Sequence, residues 1–192
     1  MFELKKAIVN WYKSRFNVVL NPDKEALVLI GGKEGIGHLS FAFVNPGDVV
    51  LVPSPGYPVY CNSTILAGGN PSTMPSVKRN NFFPDLSPIK SDVASKAKLI
   101  FLNYPNNPTS AVANKEFFSK VVEFAKKYNI IVYHNNPYSE IAFGGFKPTG
   151  FLQVPGSKDV RVEFHSFSKT YNMAGWRIGF YCRQQESFRG TS

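Results

Sequence analysis

Residues 98–103 read K-L-I-F-L-N and residues 130–133 read I-I-V-Y; between them Asn114 precedes a stretch that sets Phe117, Val121, Phe124, Ala125 and Tyr128 on one face. The first run is apolar along its length rather than alternating, the pattern of a strand covered on both sides. The spacing after Asn114 is helical, and asparagine is a preferred helix N-cap. Strand, helix and strand thus follow one another, and the pattern repeats in both directions. Leu4, Ile8, Tyr12 and Phe16 predict an amphipathic helix over residues 3–16, and N-P-D at 21–23 a turn. A short apolar run, A-L-V-L-I at 26–30, leads through Gly31-Gly32 into a helical pattern from Lys33 to Phe43, which N-P-G-D at 45–48 ends. V-V-L-V at 49–52 predicts a strand, P-S-P-G-Y-P at 53–58 a proline-stiffened loop, residues 59–67 a helix and residues 72–76 a short strand. V-E-F-H at 162–165 is the last clear parallel strand, with I-G-F-Y-C at 178–182 a candidate for one more. The expected fold class is α/β, a mostly parallel sheet with helices on both faces.

The 192 residues suffice for one domain with a real core and are marginal for two. At 43% hydrophobic and 18% charged the composition is that of a globular, soluble protein. No apolar run approaches membrane-spanning length, and the N-terminus lacks the pattern of a signal peptide. Cys61 and Cys182 stand far apart and without metal-type spacing, so free thiols in a reducing cytoplasm are expected, and no metal site. A net charge of +9 raises nucleic-acid binding as a reading, but the basic residues are scattered, their longest runs being pairs such as Lys5-Lys6. A solvated basic surface on a metabolic protein accounts for the charge better.

In parallel sheets ligands gather outside the carboxyl ends of the strands. Five polar stretches fall there: Gly31-Gly32, Ser54 to Tyr57, Asn103 to Thr109, His134 to Tyr138, and Ser166 to Lys169. Gly31-Gly32-Lys33 follows a strand and opens a helix, where bare backbone N–H groups make an anion site, although a glycine pair alone also suits a tight turn. Ser166, Ser168 and Arg177 add hydroxyls and a bidentate cation for the same anion. Tyr57 suits stacking on a flat ring, and Asn107 and Tyr138 suit hydrogen bonding to a phenolic oxygen. Lys169 is then a candidate Schiff-base lysine activated by burial and neighbouring positive charge. Phosphate, flat ring, phenolate and lysine together describe pyridoxal 5′-phosphate (PLP).

The run S-F-S-K-T-Y-N-M-A-G-W-R-I-G-F (166–180) resembles the lysine motif of class I/II aminotransferases, which are fold type I PLP-dependent transferases. N-Y-P-N-N-P-T (103–109), H-N-N-P-Y-S-E (134–140), P-S-P-G-Y-P-V-Y (53–60) and G-G-K-E-G-I (31–36) are similar to further motifs of that family, in the family's order. Within it the likeness is to the LL-diaminopimelate, aspartate and alanine aminotransferase subgroup. The resemblance implies a three-layer αβα large domain, a homodimer and transfer of an amino group between an L-amino acid and a 2-oxo acid. It also assigns roles. Lys169 would bond the cofactor and shuttle the Cα proton; Tyr57 would stack on the ring; Asn107 and Tyr138 would bond its O3′. Ser166, Arg177 and the amides around Gly32 and Lys33 would hold the phosphate, and Asn135 would face the ring nitrogen.

Two of those positions depart from the family pattern. The family has aspartate where this chain has Asn135, a carboxylate that keeps the pyridine nitrogen protonated. An amide can donate to the unprotonated nitrogen but has no charge with which to favour pyridinium, so PLP binding with impaired transamination is expected. Gly32 stands where a phosphate-contacting serine is usual, which predicts weaker cofactor affinity. The chain is also shorter than the family pattern at both ends: residues 1–182 read as an incomplete PLP-binding large domain and 183–192 as an off-pattern tail, through an altered reading frame or alternative exon end. On that reading the smaller C-terminal domain and its carboxylate-binding arginine are expected to be missing from these 192 residues. An inactive PLP-binding fragment acting as a dimerisation partner is the alternative reading.

Overall fold

Runs of valine, isoleucine, leucine and phenylalanine form the sheet because branched and aromatic side chains pack well on a pleated surface buried from both sides. The computed structural model describes residues 1–183. Seven strands lie in the order β1-β7-β6-β5-β4-β2-β3. They are β1 (Ala26–Leu29), β2 (Val49–Ser54), β3 (Asn70–Pro75), β4 (Ala97–Asn103), β5 (Ile131–Asn135), β6 (Arg161–Ser166) and β7 (Gly179–Arg183). The five from β3 to β6 pair in parallel, and β7 runs antiparallel to both neighbours, β1 and β6. The sheet is therefore mostly parallel, as the sequence predicts, and the run at 178–182 is a strand of the opposite sense. It pairs with β6 from Val162↔Arg183 to Ser166↔Gly179 and with β1 from Ala26↔Cys182 to Leu29↔Gly179.

Helices cover both faces. On one lie α1 (Phe2–Phe16), α4 (Ser91–Lys96) and α5 (Lys115–Tyr128); on the other lie α2 (Gly32–Phe43) and α3 (Val59–Leu66). The Asn114 side chain caps α5, its Oδ1 accepting from the Phe117 N–H at 2.8 Å. Phe117, Val121 and Ala125 are buried against the sheet, with Phe124 and Tyr128 half-buried beside them. Burial of each such side chain contributes about 1.5–3 kcal/mol. The α2 layer approaches β6 closely because Gly35 has no Cβ: one would lie 2.1 Å from Phe164 Cε1. The short helix α4, which propensity did not reveal, ends directly at the start of β4.

The tail expected over 183–192 begins at Arg183, the last residue of β7; residues 184–192 lie outside the described residues. No helix among the described residues is long and apolar enough to cross a membrane.

Candidate active site

Strand alternation places Asn103, Asn135 and Ser166 at the carboxyl ends of β4, β5 and β6, on the face covered by α2 and α3. A cleft of about 410 Å³ opens there, and every residue singled out from the sequence lines it: Gly32, Lys33, Tyr57, Asn107, Asn135, Tyr138, Ser166, Lys169 and Arg177. All five polar loop stretches contribute at least one wall residue.

The anion end is built from backbone. Gly31 is the N-cap of α2 with φ 88° and ψ 160°, a region open only to glycine. A Cβ on it would sit 2.6 Å from Arg177 Nη2, so the guanidinium lies directly on the bare Gly31 backbone. Arg177 itself is held in the left-handed region, φ 53° and ψ 47°, and its Nη1 donates to the Ala174 carbonyl at 3.1 Å. Gly179 brings β7 against the same turn: a Cβ there would lie 2.9 Å from the Gly32 nitrogen. At Gly32, by contrast, a Cβ would meet nothing nearer than Ser166 Cβ at 4.0 Å, so the space a serine would use is open.

At the ring end, Tyr57 is half-buried with Lys33 Nζ 5.7 Å from its ring centroid and Tyr60 edge-on at 5.8 Å. Asn107 Nδ2 lies 3.4 Å from Tyr138 Oη, so the two groups assigned to one phenolic oxygen share one neighbourhood. Buried Asn103 ties these loops together. Its Nδ2 donates to the Asn135 carbonyl at 2.8 Å and its Oδ1 accepts from the Asn107 N–H at 2.8 Å. Asn135 Nδ2 donates to Tyr60 Oη at 3.0 Å. Burial raises the Tyr60 phenol far above its ordinary value, so it is a neutral hydroxyl.

The expectation of a buried lysine is corrected. Lys169 and Arg177 both line the cleft and both are exposed. Lys169 lies on α6 (Phe167–Thr170), and at this exposure neither cation is desolvated. Asn103, Tyr60 and Gly179 were missed. Each carried a signal: a polar residue closing an apolar strand, a second aromatic one helical turn from Tyr57, and a glycine after Arg177. The lining includes three cations and no carboxylate. Among the described residues no cluster of His, Cys, Asp or Glu is suited to a metal.

Fold and cleft define an α/β domain with a cationic cleft at the strand ends, lined by a primary amine. The chain belongs to the aminotransferase class I and II family, whose model matches residues 2–189. It is 57% identical over 189 residues to an LL-diaminopimelate aminotransferase of Aquifex aeolicus, covering 98% of this chain and 49% of that protein. A second such enzyme, from Desulforudis audaxviator, is 57% identical over 92% of this chain and 45% of its own length. Among solved structures, substrate-bound BacF from Bacillus subtilis superposes with a TM-score of 0.94 at 43% identity, over 97% of this chain and 47% of that one. A probable N-succinyldiaminopimelate aminotransferase from Thermus thermophilus gives 0.91 at 36%, over 97% and 50%. The chain spans about half the length of the curated relatives it matches.

Proposed function

We propose that this chain is the PLP-binding domain of an aminotransferase acting on an L-amino acid and a 2-oxo acid. The observation that carries the reading is the convergence of five separate strand-end loops on one cationic cleft. The donor set fits the group: the bare Gly31 backbone under Arg177 suits a phosphate, and the paired Asn107 and Tyr138 suit a phenolic oxygen.

When bound, PLP supplies the electron sink that makes an amino acid Cα–H acidic. The chain's own residues do the rest. Lys169 would supply the primary amine beside the cofactor aldehyde and would take the proton from the substrate Cα. Arg177, Ser166 and the Gly32 and Lys33 amides would hold the phosphate, Tyr57 would cover the ring, and Asn107 and Tyr138 would donate to its oxygen. The names of the relatives favour a diaminopimelate-type donor, and the family pattern a cytoplasmic homodimer. Asn135 favours a second reading, a protein that binds PLP with impaired turnover, because no carboxylate faces the ring nitrogen.

Borohydride reduction of the protein with PLP, followed by peptide mass mapping, tests the site. The expected result is a pyridoxyl group on Lys169, lost in Lys169→Ala. Labelling spread over surface lysines would refute the assignment.

A further inference from the structure

Asn103 closes β4 at 1% exposure, and both ends of its amide meet backbone groups that can play one role only. Its Nδ2 donates to the Asn135 carbonyl at 2.8 Å and to the Pro105 carbonyl at 3.2 Å, and its Oδ1 accepts from the Asn107 N–H at 2.8 Å. A carbonyl oxygen only accepts and a backbone N–H only donates, so all three contacts turn the amide the same way. The loop that follows keeps its own shape. Asn106 Oδ1 accepts from the Thr109 N–H at 3.0 Å and from Thr109 Oγ1 at 2.7 Å, and the Asn106 N–H donates to the Ala111 carbonyl at 2.8 Å. Asn106 thus braces the loop internally, while the Asn103 side chain sets where the braced loop sits against β5.

The residue so placed is Asn107. Asn103 grips its N–H, and its side chain lines the cleft with Nδ2 3.4 Å from Tyr138 Oη. At its other end the same amide holds Asn135, the register partner of Asn103 on β5. One buried side chain therefore fixes the spacing of two cleft residues that come from different strand ends.

We propose that Asn103 is a positioning residue which, by bonding the Asn135 carbonyl and the Asn107 N–H together, sets the Asn107 side chain against the phenolic oxygen of the cofactor. The inference rests on the PLP reading of the cleft and goes beyond it. Hydrogen bonds weaken steeply when misaligned, so a small displacement of the loop costs the contact. A donor withdrawn from the phenolic oxygen leaves that oxygen more electron-rich, and the proton it shares with the Lys169 nitrogen is then held more tightly.

The test is the pH titration of the visible absorbance of PLP bound to the full chain, in the parent, Asn103→Ala, Asn107→Ala and the double variant. Asn103→Thr, close to asparagine in size and suited to a strand end, is run beside Asn103→Ala. Circular dichroism checks that each variant is folded, and the Lys169 adduct is mapped by mass in parallel. Lys33, Tyr57, Tyr138 and Arg177 also line the cleft, and they are the same in every variant, so the cycle cancels their contributions. The expected midpoint rises by about half to one pH unit in Asn107→Ala, and by a similar or smaller amount in Asn103→Ala and Asn103→Thr. Adding either Asn103 substitution to Asn107→Ala should shift it no further, because both act through one contact. A bracing role alone would lower stability and leave the midpoint in place. An unmoved midpoint in the folded Asn103 variants, or the same rise with and without Asn107, overturns the positioning role while a Lys169 adduct keeps the PLP reading. Absence of that adduct overturns both.

Discussion

Glu163 is fully buried beneath the site, on the sheet face opposite the cleft, and the consequence of removing its charge can be worked out donor by donor. Its Oε1 accepts from Tyr12 Oη at 3.0 Å, His165 Nε2 at 3.2 Å and Asn136 Nδ2 at 3.4 Å. Its Oε2 accepts from His134 Nδ1 and the Leu152 N–H, both at 3.2 Å. Glutamine has the same shape but one NH₂ end. Placed at Oε2 it confronts the Leu152 N–H, which cannot reverse; placed at Oε1 it confronts the Asn136 amide. The first leaves a buried donor facing a donor and the second obliges Asn136, Tyr12 and His165 to rearrange, at about 1–3 kcal/mol, and the charge-assisted bonds weaken as well. Glu163→Gln should therefore cost about 3–5 kcal/mol, the range for breaking a buried charge network. Urea unfolding followed through Trp11, whose ring lies 5.1 Å from His165, reads the loss. With a slope of about 2–3 kcal/mol per M the midpoint should fall by roughly 1–2 M. A midpoint within roughly 0.3 M of the parent would show that the network is not held by the carboxylate, and would refute the reasoning. The pH dependence has one sign. Burial favours the neutral acid, but hydrogen bonds from His134 and His165 prevail and hold Glu163 well below its ordinary 4.5. Burial holds His165 below its ordinary 6.5 in spite of the Glu163 hydrogen bond. In both cases the unfolded chain binds the proton more readily, so stability falls with acidification, first below about 6.5 and again below about 4.5.

Three further outcomes are expected. Gly31→Ala places a Cβ 2.6 Å from Arg177 Nη2 at φ 88°, so PLP affinity, read by visible-absorbance titration, should fall by about tenfold or more; an unchanged affinity would remove Arg177 from the anion site. Asn135→Asp should raise the rate of half-transamination by several powers of ten, because a few kcal/mol of pyridinium stabilisation are restored at ~1.4 kcal/mol per tenfold; no change in rate would separate this position from catalysis. The chain should self-associate, because Phe2, Phe41, Phe143 and Trp176 are all exposed; a monomeric mass by light scattering would contradict this.

The sequence carried the sheet and the cleft because both depend on local signals. Apolar runs such as K-L-I-F-L-N announce covered strands, and polar residues at their ends announce the ligand edge. Exposure was not legible. Lys169 sits among hydroxyls and aromatics in the chain, yet in space it faces an open cleft, and no pattern of neighbours in sequence distinguishes the two. The sense of β7 was equally hidden, since antiparallel pairing depends on which strand the chain rejoins. Glu163 was passed over inside V-E-F-H, although a carboxylate flanked by apolar residues in a two-sided sheet implies partners. Those partners come from α1, β5 and the stretch after Gly150, remote in sequence and brought together by folding alone.

That placement of Glu163 bears on what Asn135 means. Glu163 is saturated with donors across the sheet. Glu34, in the first turn of α2, accepts from the Ile30 N–H and lies 3.6 Å from His38. Neither lines the cleft, and among the described residues no other carboxylate does, so the charge that aspartate gives the family has no substitute there. On the proposed reading the cations that would hold the phosphate are present, whereas the group that would face the ring nitrogen is an amide dipole. The proposed function therefore predicts that affinity and turnover come apart in this chain: phosphate contacts would bind ground and transition states alike, while a contact at the ring nitrogen would strengthen only as negative charge develops on the ring. Loss of the second leaves binding nearly untouched and falls on the rate.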